Sequence, residues 1–281
     1  MLSAVSRPVD GAAGRLAGSR SAEHVAVGKG RVAQGRSALY SILAQSLCVP
    51  SQELCRAIED GTLLSTIRKI VKALSRTHHL NDDFLRSEVL MDCISIAGAR
   101  RPLTAEYTRL FGTDLMCPHY ESDYLPQHLT DAPTTAAVAA FCAESGLRVG
   151  DTERADFIGV ELEFMSVLTT EEAYAASQQH PYRAKSRRRM QAKFFAEHLG
   201  RWERPYARRL GLTTCLAFYK TVGALMEHLV LGEARYFGLS IDDLERDCSP
   251  VPQPERTAIL ERTANCETCP LAAAGCGKPC L

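Results

Sequence analysis

Pro118-His119-Tyr120-Glu121-Ser122 crowds an imidazole, a phenol, a carboxylate and a hydroxyl into one short stretch. Pro118 blocks the continuation of a helix, so these groups are expected on a loop. A loop so equipped suits a catalytic site, a peptide-binding rim, or a connector whose polar groups face water. A second candidate lies at the other end of the chain. In CETCPLAAAGCGKPC, Cys266-x2-Cys269 can place two thiolates on one metal, and Cys276-x3-Cys280 can complete four ligands after a stretch loosened by Gly275 and Gly277. The sulfur count fits tetrahedral zinc or a four-cysteine iron–sulfur cluster, with disulfides or an unliganded tail as the alternatives. The spacing is not the bacterial ferredoxin run. The histidines offer less: there is no HExxH, no GxSxG before a helix, and no set of three at metal-binding spacing. His119, Glu121, Asp156 and His198 could meet only through tertiary structure. Separated polar residues more often serve as caps, ion pairs and solvated surface. No catalytic residue is assigned, and the chain is read as a protein that is not an enzyme.

Charge narrows the partners. Lys+Arg and Asp+Glu both number 33 in 281 residues, which removes the usual electrostatic case for a nucleic-acid or anionic-membrane binder. The local exception is RAKSRRR at 183–189, read as a solvated face or a contact for acidic client surface. No stretch approaches the roughly 20 apolar residues needed to span a bilayer, and the N-terminus lacks the apolar core of an export signal. A cytoplasmic chain is the expectation, as a monomer or weak dimer. GKG at 28–30 has neither the P-loop spacing nor a Ser/Thr after its lysine. Of the eleven cysteines, seven are scattered in largely apolar surroundings, where a reduced thiol serves as a small hydrophobe.

The elements that must position these groups read as helices. Residues 1–35, rich in Gly, Ala, Ser and Arg without periodicity, are expected to form a flexible, disordered extension. From Ser37 the apolar repeat is helical, with Ser51 as a cap candidate and Gly61 ending a helix inside the second run. Further helices are predicted over 82–97, 103–111, 134–145, 153–178, 185–199, 202–210 and 216–236. In AEYTRLF, Tyr107, Leu110 and Phe111 share one face, so the chain entering the loop should be docked on a core. VELEFM alternates like a strand, but Phe157, Val160, Phe164, Val167 and Leu168 keep helical spacing for longer than a strand runs. Glu161 and Glu163 then lie about 200° apart and are no carboxylate pair. Asp156 stands where a carboxylate favours a helix start. The economical fold is all-α: one helical-bundle domain over 36–240, then a linker and four-cysteine tail over 241–281.

The order of these pieces resembles the TorD/DmsD/NarJ family of redox-enzyme maturation chaperones over roughly residues 37–240. The resemblance rests on Glu106-x3-Leu110-Phe111, the PHYES loop, Asp156 ahead of the LEFM at 162–165, His198-Leu199 with Trp202, and the FYK at 218–220. Asp156-Phe157 stands where the family has Asp-His, and the Gly-Pro after LF is opened into Gly112 and Pro118. The resemblance implies an all-helical cytoplasmic chaperone, with no cofactor in its helical body. Its client would be the apo catalytic subunit of a molybdenum oxidoreductase of the dimethyl-sulfoxide-reductase superfamily, or that subunit's twin-arginine signal peptide. Client binding would involve Glu106, Tyr107, Pro118, Tyr120, Glu121, Ser122 and Asp156. Physical chemistry agrees, since two guanidinium groups and an apolar stretch ask for carboxylates such as Glu121 and Asp156 beside Tyr107, Tyr120 or Tyr124. The alternative of another class is a small metal-binding or iron–sulfur redox protein using Cys266, Cys269, Cys276 and Cys280.

Overall fold

The helix expected from Ser37 begins well before it. In the computed structural model, which describes residues 2–4, 20–75, 100–112, 116–125 and 131–248, the first helix α1 spans Arg20–Ser46. The extension read over 1–35 is therefore shortened by its last sixteen residues. Glycines had masked the helix, and packing explains one of them: a Cβ on Gly35 would come within 3.0 Å of the Leu74 side chain. Ahead of α1, β1 (Leu2–Ala4) pairs antiparallel with β2 (Leu147–Val149), Leu2 opposite Val149, a small exception to an otherwise all-helical architecture.

α2 (Gln52–Glu59) starts where Leu54 N–H donates to Ser51 Oγ at 3.1 Å, and Gly61 at φ 75° separates it from α3 (Thr62–Ser75). There follow α4 (Arg100–Phe111), a 3-10 turn at Glu121–Asp123, α5 (Asp131–Glu144) and β2. The chain then forms α6 (Ile158–Ser177), α7 (Pro181–Glu197), α8 (Leu199–Thr213), α9 (Ala217–Phe237) and the short α10 (Ile241–Leu244). The helix predicted over 82–97 and the cysteine-rich tail lie outside the described residues.

α1 packs along α6, α8 along α9, and α6 along α7, so the core is a helical bundle. Leu39, Leu43, Phe164, Met165, Leu168, Phe194, Trp202, Met226 and Leu229 are among its enclosed side chains. Each is worth about 1.5–3 kcal/mol relative to exposure. α8 and α9 cross closely, because a Cβ on Gly223 would lie 2.7 Å from the Ala207 carbonyl oxygen. A polar network is threaded through this core. Arg36 of α1 is fully buried, donates twice to the Glu233 carboxylate of α9, and lies 3.5 Å from Glu172 of α6, while Gln191 of α7 donates to Glu172 at 2.9 Å. Arg188 of α7 donates to Glu172 at 2.8 Å from its Nε.

Candidate functional site

The loop after α4 is held by backbone bonds that its sequence does not advertise. Cys117 N–H donates to Leu110 O at 2.9 Å and folds the chain back onto the end of α4. Two further bonds attach it to the entrance of α6: Glu121 N–H donates to Asp156 O at 2.9 Å, and Ile158 N–H to His119 O at 3.0 Å, around a bridge between Tyr120 and Phe157. This pairing explains why the helix predicted from 153 begins only at Ile158. Asp156 is committed to the loop and does not cap the helix. Tyr124 then closes the loop by donating its hydroxyl to Pro118 O at 2.9 Å.

The side chains sort into a buried acidic layer and an outer rim. Glu121 is 1% exposed and its Oε2 lies 2.9 Å from His198 Nδ1. Asp156 is 0% exposed; Arg154 donates to both its oxygens, at 3.0 and 2.8 Å, and Thr135 Oγ1 donates to Oδ1 at 3.0 Å. Arg154 also donates to Ser122 Oγ at 2.8 Å and lies 4.3 Å from the centre of the Tyr120 ring. Beneath them Glu161, also fully buried, accepts from Trp202 Nε1 at 3.2 Å. Burial, with Glu121 and Asp156 nearby, pushes the Glu161 carboxyl well above its ordinary value. His119 is wedged between Phe111, Tyr120 and Phe157, its Nδ1 without a hydrogen-bond partner among the described residues. Burial, then the Arg154 charge, lowers its pKa to about 4.

Glu106 serves a separate task. It accepts from Arg109 at 2.7 Å, from Thr214 Oγ1 at 2.7 Å and from Cys215 N–H at 2.9 Å, tying α4 to the junction of α8 and α9. Burial alone would raise its pKa, but these donors hold it below the ordinary value. Of the seven residues expected to meet a client, Glu106, Glu121 and Asp156 are thus enclosed among internal partners. Tyr107, Pro118, Tyr120 and Ser122 remain partly exposed above them. Tyr107 stacks edge-on with Phe111 at 5.0 Å.

Sequence reasoning named His119, Glu121, Asp156 and His198 as residues that could meet only through tertiary structure, without assigning them contacts, and missed Arg154, Glu161 and Thr135. Arg154 stands two residues before Asp156, a spacing that could have flagged it. Glu161 was set aside because Glu163 shares no face with it; its carboxylate neighbours come instead from another element. In RAKSRRR, Arg187 and Arg188 pair with Glu171 and Glu172, while Arg183, Lys185 and Arg189 are exposed.

Among the described residues no group of three or more His, Cys, Asp or Glu could hold a metal ion, and the six described cysteines are free thiols. Cys266, Cys269, Cys276 and Cys280 lie outside those residues. No described helix is long and apolar enough to cross a membrane. No curated protein and no solved structure matches the chain. Residues 87–207, which hold Glu106, the loop, Asp156, His198 and Trp202, match the family model described as nitrate reductase delta subunit. That match covers 121 of the 281 residues and agrees with the resemblance to the TorD/DmsD/NarJ group of redox-enzyme maturation chaperones drawn from the sequence.

Proposed function

We propose that the chain is a maturation chaperone for the apo catalytic subunit of a molybdenum oxidoreductase of the dimethyl-sulfoxide-reductase superfamily. It would hold that subunit, or its twin-arginine signal peptide, in the cytoplasm until the cofactor is inserted. One observation supports this reading: a loop fastened to two helices by its backbone turns Glu121 inward beside Asp156 and leaves Tyr107, Pro118, Tyr120 and Ser122 partly exposed. Tyrosine offers a rigid apolar face with a polar tip, at a cost of only two side-chain torsions on binding. Glu121, Asp156 and Glu106 contribute by fixing that rim and by the negative potential beneath it.

The test is calorimetry with an apo subunit identified by co-purification. Tyr107→Ala with Tyr120→Ala is expected to weaken binding by about tenfold or more, in the range of truncated aromatic anchors, with the helical circular dichroism unchanged. Equal affinity for the parent and the double variant would remove the rim from the proposal.

A further inference from the structure

The loop already holds a guanidinium group, and it belongs to the chain itself. Arg154 places Nε 3.0 Å from Asp156 Oδ1 and Nη2 2.8 Å from Asp156 Oδ2, the paired geometry that distinguishes guanidinium from ammonium. Nη2 also reaches Ser122 Oγ at 2.8 Å, and the plane rests on Tyr120 with Cζ 4.3 Å from the ring centre. Asp156 is buried and is steadied from behind by Thr135, so the acceptor would stay in place were the guanidinium to leave. Arg154 is differently situated. It stands in the turn between β2 and α6, its side chain is 37% exposed, and Thr152 and Glu153 before it are exposed. It can swing into solvent without unwinding a helix.

We infer that Tyr120, Ser122 and Asp156 form a guanidinium-binding cradle in which Arg154 is a resident competitor, displaced when an arginine side chain of a bound peptide enters. This deepens the proposed function and rests on it only for the source of the arginine. The exchange conserves charge: one guanidinium leaves Asp156 as another arrives, so the buried carboxylate is never left unpaired. Affinity is reduced by the fraction of time the resident side chain occupies the cradle. Lysine is a poor substitute, since an ammonium cannot span both oxygens of Asp156 and reach Ser122 from the same plane.

Arg154→Ala in the full chain tests this in two ways. Its melting temperature should fall and be restored by arginine amide, and not by lysine amide at the same concentration, while the parent gains nothing from either. A labelled peptide with two adjacent arginines should bind the variant about tenfold more tightly than the parent, and a di-lysine analogue should show no such gain. A second variant, Arg154→Ala with Asp156→Asn, removes the buried charge and should fold without showing arginine rescue. Loss of stability with no selective rescue, or equal peptide affinity in parent and Arg154→Ala, would reduce Arg154 to a structural residue and overturn the inference. If Arg154→Ala does not fold, rescue of the double variant by arginine amide would overturn it equally, and its absence beside a di-arginine affinity no better than di-lysine would support it. The rescue arm needs no client, so selective rescue beside unaltered apo-subunit binding in the tyrosine variants would defeat the chaperone rim and leave the cradle standing.

Discussion

Asp156 is fully enclosed, yet its side-chain oxygens accept from Arg154 and Thr135 and its carbonyl from Glu121 N–H. A buried carboxylate persists only with such company, because an unpaired charge in the interior costs several kcal/mol. His119, one turn of the loop away, solves the same difficulty differently by staying neutral. Its pKa of about 4 in the fold, against about 6.5 in an unfolded chain, means the unfolded state binds the extra proton first as pH falls. This contribution to stability is therefore complete above about pH 6.5 and is lost progressively down to about pH 4, by roughly 3 kcal/mol in all. His119→Phe keeps an aromatic ring among Phe111, Tyr120 and Phe157 and removes the titration. Chemical denaturation at a series of pH values should show a shallower acid loss for the variant; parallel curves would mean that the imidazole is not held neutral.

Helices were legible wherever apolar side chains repeat at helical spacing and turn signals flank them. Ser51, Gly61 and the helix over 216–236 were read from such local signals, and the structure has helices there. Boundaries failed where a non-local partner decides them. α1 starts at Arg20 despite its glycines, and α6 starts late because the loop captures Asp156. The candidate site was legible as a list of residue types but not as an arrangement, since the pairing of Glu121 with His198 and of Glu161 with Trp202 spans elements far apart in sequence. Helix contacts were also hidden. Gly223 lets α9 approach α8, so Gly223→Ala, whose Cβ would meet the Ala207 carbonyl at 2.7 Å, should cost about 1–3 kcal/mol. Gly211→Ala, with nothing within 4 Å of its Cβ, should instead be neutral or stabilising by up to about 1 kcal/mol. Melting temperatures that move together in the two variants would contradict the close crossing.

Across the whole molecule, Arg36 joins helices far apart in the sequence, 197 residues separating it from Glu233. Arg36→Met leaves Glu233 buried without its cation and should destabilise by about 3–5 kcal/mol in urea denaturation. Arg36→Met with Glu233→Met removes both charges and should recover most of that loss; a double variant as unstable as the single one would show that packing around Arg36, and not its charge, matters. Because the guanidinium touches α1 and α9 directly and meets Glu172, which also holds α7, none of these helices can detach without exposing a charge that another must then carry alone. Their slowest-exchanging amides should consequently open to deuterium together, as one cooperative unit. Under the proposed function, such a body would hold its client throughout loading without lending its own helices to the exchange.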